Sequence, residues 1–315
     1  MCRLFGMSGG TQQVQATFWL LDAPTSLIQL SETQPDGVGL GTFEADGTPW
    51  RYRKPVAANR SQTFIADAHE VSSRTFLAHI RHATAAEPTI ENTHPFEQHG
   101  RLFAHNGVLG GLDALRARLG EHAALLEGST DSELYFTLIT KRIEEQGGDV
   151  AAGIAQAARE LAAEIPLYSL NMLLTTPTDM WALRYPDTNE LWVLERSIAA
   201  LGGPDGSPSS SSSPSDSSSP SDSSSSSSSD GFDQRSMSGI TRVFSGQLSI
   251  LPATVIASQP MDSNPLWRLL ESGELVHVDQ QLRVTSEVVV PDPPANLLEL
   301  TAQEEKAQQE DPAPS

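Results

Sequence analysis

The 315-residue sequence predicts an α+β fold. Three observations carry that expectation: short β-type runs fill the first third, helical segments follow one another in the middle, and strand-like runs return after them. Strands, then consecutive helices, then strands again do not alternate as a doubly wound sheet would.

The first runs are CRLFGMS, GVGLGTF, WRYRK, TFLAHIRHA and RLFAHNG, with turn residues between them. Helical spacing begins at Leu112 and holds to Leu119. Thr130-Asp131-Ser132-Glu133 reads as a capping box that opens an apolar-striped helix through about Ile143, and a third helix is expected from about Ala151 to Ile165. Strands resume at SLNMLLTT, DMWALRYP and ELWVLER. A Ser/Pro/Asp tract from Gly202 to Gly231 then interrupts the pattern, with too few apolar groups to offset the entropy of ordering it. The later runs ITRVFS, PATVIAS, ELVHVD and EVVV are too few for a domain of their own, so they are expected to complete the upstream sheets. On that reading residues 2–290 form one domain, interrupted by a disordered insertion at 202–238. The competing reading makes the tract an inter-domain linker. Residues 291–315 are acidic and expected to form a flexible tail.

Composition narrows the function classes. Forty acidic residues against twenty basic ones give a formal charge of −20, and the only lysines are Lys54, Lys141 and Lys306, which argues against nucleic acid and anionic membrane surfaces as partners. One cysteine excludes an internal disulfide and a cysteine-built zinc site. No secretory signal and no apolar run long enough to span a bilayer are visible, so a soluble, cytoplasmic protein is expected. The glycines of DGVGLG (Asp36 to Gly41) lack the third fingerprint glycine and a following helix; they allow close backbone approach instead of dinucleotide binding. His79 and His82 do not make a metal motif, and no metal or cofactor is expected.

The single cysteine is Cys2, beside the initiator methionine. A lone cysteine is most often a small buried hydrophobe. Removal of Met1 would change its chemistry, because an α-amine titrating at about 7.7 to 8.0 would then sit on the same residue as a thiol titrating at about 8.5. The amine can take the thiol proton and later pass it to a leaving group. AHNG, from Ala104 to Gly107, offers two oxyanion donors, the Asn106 side-chain NH₂ and the Gly107 backbone N–H, although Asn-Gly also serves as a plain hairpin turn. His105 reads as a packing or hydrogen-bonding residue. Arg81 and Thr84 end a β-rich run, where a guanidinium can grip a carboxylate bidentately and a hydroxyl can add a contact. Asp131, in the first turn of a helix, suits either a capping role or an ammonium group. His94, in ENTHPF, carries less weight.

Cys2 before an apolar strand, followed in order by RHAT, THPF, HNG and TDSE, resembles the class II, or N-terminal-nucleophile, glutamine amidotransferases. The order and spacing of these motifs are more specific than any one of them, and the resemblance runs from Cys2 to about Trp192. IASQPM, with Trp267 after it, is similar to stand-alone bacterial members of the YafJ-like type and, more loosely, to EgtC-type γ-glutamyl amidohydrolases. The resemblance implies a four-layer αββα sandwich, two antiparallel sheets between helical layers. It implies Cys2 as nucleophile, Asn106 and Gly107 as the oxyanion hole, and Arg81, Thr84 and Asp131 around a bound glutamine; His105, next to the oxyanion pair in sequence, is expected to join them at the substrate. The expected reaction is hydrolysis of the glutamine side-chain amide through a γ-glutamyl thioester. The expected partners are glutamine or another γ-glutamyl compound and a separate ammonia-accepting synthase, with the oligomeric state open. Two alternatives stand beside it: an amidohydrolase of another γ-glutamyl compound, as in ergothioneine synthesis, and a non-catalytic scaffold of the same fold.

Overall fold

A computed structural model describes residues 2–81, 87–196 and 252–300, with the backbone of two short segments between them. Two antiparallel sheets face each other. The first has seven strands in the order β13 (Arg268–Leu269), β9 (Trp192–Arg196), β12 (Ala253–Ala257), β1 (Arg3–Ser8), β4 (Thr75–Arg81), β2 (Gly37–Phe43) and β3 (Pro49–Lys54). The second has six, in the order β15 (Val284–Val288), β14 (Glu274–Val278), β8 (Met180–Leu183), β7 (Asn171–Thr175), β6 (Arg101–Asn106) and β5 (Phe96–Gln98). A two-residue ladder pairs β10 (Gln234–Arg235) with β11 (Arg242–Val243).

Alternation along the strands builds four layers. Leu4 of β1, Leu77 of β4, Leu102 and Ala104 of β6 and Leu173 of β7 meet in the core between the sheets. Phe5, Met7, Phe76, Ala78 and Ile80 face the other way, onto a π-helical turn at Phe18–Asp22 and the helices α1 (Leu27–Leu30) and α2 (Gln62–Glu70). On the far side, Phe103, Met172 and Leu174 pack under α3 (Leu112–Leu119), α4 (Asp131–Glu145) and α5 (Val150–Glu164). The αββα sandwich is therefore the one the motifs implied. No helix among the described residues is long and apolar enough to cross a membrane.

Where the elements differ from expectation, local chemistry explains most of it. α2 is missed because QTFIADAHE buries only Phe64 and Ala68, too short a stripe to show a period; its start is fixed by Ser61, whose hydroxyl accepts from the Phe64 N–H at 3.1 Å. The capping box at α4 is half closed. Thr130 Oγ1 accepts from the Glu133 N–H at 3.1 Å, but the Glu133 carboxylate accepts from the N–H groups of Glu127 and Gly128, at 2.7 and 2.8 Å, instead of turning back to Thr130. The strand expected at EVVV is β15, which ends at Val288 because the Val289 N–H turns to the Gly273 carbonyl at 2.8 Å. The expected insertion at 202–238 lies outside the described residues, apart from the backbone of Gln234–Arg235; the next long strand, β12, sits between β9 and β1. The expected tail does not begin at Pro291. Ala295 N–H donates to the Ala162 carbonyl at 2.8 Å and Leu298 N–H to the Leu167 carbonyl at 2.9 Å, so this stretch is docked past the end of α5, while 301–315 lie outside the described residues.

The alternate glycines of GVGLG lie on the inter-sheet face of β2, and the close approach expected of them is made by the His94 carbonyl at Gly39 and by the Pro95 ring at Gly41. A Cβ placed on Gly39 would fall 1.8 Å from the His94 carbonyl oxygen, and one on Gly41 would fall 2.8 Å from Pro95 Cγ. Backbone cannot step aside as a side-chain tip can. Gly39→Ala is therefore expected to cost at least about 3 kcal/mol, read as a lowered denaturant midpoint; an unchanged midpoint would contradict this packing.

Candidate active site

The site begins with a register. Arg3 of β1 pairs with Ile80 of β4, so the next step back along β1 sets Cys2 across from Arg81, which Gly37 of β2 flanks on its other side. Leu4 and Leu77 lie in the inter-sheet core, and two- and four-residue steps from them put Cys2 and Arg81 on that same face. Cys2 is reduced and partly exposed. Arg81 is buried, and one of its Nη groups donates to the Glu87 carbonyl at 3.4 Å.

The facing sheet supplies the second half. Leu102 of β6 lies against Gly41, whose partner in β4 is Leu77, so four residues further along these two strands stand Asn106 and Arg81 at the same end of the sandwich. Asn106 shares the parity of Leu102 and Ala104 and faces the gap between the sheets. It is only 3% exposed, and its Nδ2 is buried with no hydrogen-bond acceptor among the described residues. The strand end that carries it is well held. Asn106 pairs with Asn171 of β7, and Asn171 donates to the carbonyls of Asn189 and Glu190, each at 3.2 Å, while accepting from the Tyr185 N–H at 2.9 Å. Position 107 admits only glycine. A Cβ there would fall 1.9 Å from the Ser169 carbonyl oxygen and 2.5 Å from His105 Nε2.

His105 does not join this gap. Its parity is that of Phe103, toward the helices, and its nitrogens lie 3.0 Å from Ser132 Oγ and 3.0 Å from the Ser169 carbonyl. Burial lowers its pKa, partly offset by Asp131 and by the Ser169 carbonyl, so the ring is neutral at ordinary pH. The partners assign the tautomer: Nε2–H donates to the carbonyl and Nδ1 accepts the Ser132 hydroxyl. The expectation of a substrate contact from His105 is corrected, because the ring is spent pinning the end of β6 to the start of α4. Asp131 is partly exposed and is not the helix cap, a role that Thr130 takes. Its Oδ2 accepts from the Leu109 N–H at 2.8 Å and its Oδ1 from the Ser132 N–H at 2.7 Å, which sets the carboxylate beside the turn that follows Gly107. Thr84 lies outside the described residues. Asn171 and Asn189 escaped the sequence reading; an asparagine inside the strand run NMLLT, where the residue is disfavoured, is the one signal that pointed to them.

Known proteins resemble the chain in sequence and in fold. The family pattern of class-II glutamine amidotransferases matches residues 1–199. YafJ of Escherichia coli (strain K12), provisionally named a glutamine amidotransferase, is 28% identical over 290 residues, covering 87% of this chain and 96% of its own. The glutamine–fructose-6-phosphate aminotransferase of Shigella flexneri is 28% identical over 126 residues, which is 40% of this chain and 20% of that one. Among solved structures, the glutamine phosphoribosylpyrophosphate amidotransferase of B. subtilis superposes with a TM-score of 0.59 at 16% identity over 93% of this chain, which spans half of that protein. A glutamine aminotransferase class-II domain protein from Silicibacter pomeroyi superposes with a TM-score of 0.54 at 18% identity, covering 92% of this chain and all of its own. These neighbours share the fold of the chain. By its sequence pattern and its fold, the chain belongs to the class-II glutamine amidotransferases.

Proposed function

We propose that the protein hydrolyses the side-chain amide of glutamine through a thioester on Cys2. One observation carries the reading: the buried Asn106 amide has no acceptor among the described residues and faces the gap into which β1 delivers Cys2. With Met1 removed, the Cys2 α-amine takes the thiol proton and the sulfur attacks the amide carbon. The carbonyl oxygen becomes an oxyanion against Asn106 Nδ2–H and the Gly107 N–H. The α-ammonium then returns the proton to the departing nitrogen, and ammonia leaves a γ-glutamyl thioester. Water, deprotonated by the same amine, attacks the thioester; glutamate is released and the thiol is restored. Arg81 holds the substrate α-carboxylate as a bidentate partner. Asp131 takes the α-ammonium on lone-pair sites left over from its two backbone bonds.

Intact-mass measurement before and after treatment with a diazo-ketone analogue of glutamine tests the reading. The mature chain is expected to lack Met1 and to gain one analogue, less dinitrogen, on Cys2. A chain that keeps Met1, or that fails to label, contradicts it. Turnover of a γ-glutamyl conjugate but not of free glutamine would move the substrate while keeping the chemistry.

A further inference from the structure

The cluster between the sheets is apolar, yet on β4 a buried histidine, His79, stands between Leu77 of that cluster and Arg81, and a second, His94, packs against it. His79 lies two residues before Arg81 on the same face of β4, paired with Leu4 of β1 on one side and Gly39 of β2 on the other. Over Gly39 comes His94, with its carbonyl pressed on the glycine and its ring centroid 4.2 Å from that of His79; Phe96 backs it at 4.5 Å. Both rings are buried, and none of their four nitrogens has a well-formed hydrogen bond among the described residues. Such groups cost stability where leucine would not, and violations of that kind gather where function needs them. Burial and the neighbouring Arg81 and His105 push the His79 pKa down to about 3, so the ring is neutral and keeps one N–H. Leu102 meets Gly41 beside Leu77, so two residues further along both strands Ala104 of β6 stands across the gap from His79, and the carbonyl of His105, next in the chain, offsets part of the shift.

We propose that His79 is a positioning residue: its N–H reaches from the nucleophile's sheet to the His105 carbonyl of the facing sheet and fixes the peptide that carries Asn106. His94 clamps the ring from the β2 side. Catalytic hydrogen bonds are often long or poorly aligned until substrate binds, and this one is expected to tighten in the substrate complex. The proposal rests on the assignment of Cys2 and Asn106 made above.

The test compares wild type, His79→Leu and His79→Gln in three measurements: thermal unfolding, alkylation of Cys2 by iodoacetamide, and steady-state glutamine turnover. Iodoacetamide alkylation is a displacement at carbon that needs no oxyanion donor. His79→Leu is expected to unfold at the same or a higher temperature, to alkylate at an unchanged rate and to keep KM within about twofold, while kcat falls about 10²-fold. His79→Gln, which keeps an N–H at similar reach, is expected to regain at least about tenfold of that loss. Unchanged kcat in His79→Leu overturns the proposal, as does a loss that follows a lowered unfolding temperature and slower alkylation, or one that glutamine does not rescue. A wild type that neither turns over glutamine nor labels with the diazo-ketone overturns the parent assignment, a result distinct from an active wild type with an equally active His79→Leu.

Discussion

Cys2→Ala is expected to abolish glutamine hydrolysis, with kcat/KM falling at least about 10⁴-fold. The size of the effect follows from the absence of a substitute. Cys2 is the only thiol in the chain. His105, the histidine nearest the proposed oxyanion donors in sequence, turns toward the helices and is spent on Ser132 and the Ser169 carbonyl, so it cannot activate a water in the gap. Only the oxyanion donors and the binding groups would remain. The fold should not suffer, because Cys2 precedes β1, is partly exposed and makes no disulfide. Cys2→Ser keeps the α-amine and replaces the thiol with a poorer nucleophile, so its rate should lie between alanine and wild type. Glutamate release measured beside the unfolding temperature separates chemistry from folding. A Cys2→Ala protein that still hydrolyses glutamine would remove the thioester from consideration.

How far the sequence could carry this is visible residue by residue. α3 and α5 were legible almost to the residue because their apolar stripes keep a helical period, and β1, β2 and β4 because apolar runs end at turn residues. Asn106 and Gly107 stood out as a donor pair at a strand end. What no local pattern holds is pairing at a distance. Arg3 meets Ile80 across more than seventy residues of chain, and only that register sets Cys2 beside Arg81. The same holds for β12, which reaches its place beside β1 only after the Ser-rich tract. His79 shows the other limit. Its neighbour His82 drew attention as a failed metal motif, whereas its actual companion is His94, which no periodicity joins to it. The glycines of β2 were legible as sites of close approach, but the His94 carbonyl and Pro95 ring that approach them were not.

The oxyanion donors carry the second large effect, and two substitutions separate their contributions. Asn106→Ala removes one donor; kcat is expected to fall by about 10² to 10³, with little change in KM, since the lost bond strengthens as charge develops on the oxygen. Stability should hold or rise slightly, because the deleted Nδ2 is buried without an acceptor among the described residues. Asn106→Asp keeps the shape but presents an acceptor to the developing oxyanion, and should lose more than alanine does. Gly107→Ala acts on the backbone instead. Its Cβ would fall 1.9 Å from the Ser169 carbonyl oxygen and 2.5 Å from His105 Nε2, so the turn must move and disturb the bond between those two groups. Loss of both stability and kcat is therefore expected at position 107, against loss of kcat alone at 106. Steady-state kinetics with denaturant unfolding decide it: an Asn106→Ala rate within tenfold of wild type would mean that the unpaired amide serves some other group, and the oxyanion would then have to rest on the Gly107 N–H alone.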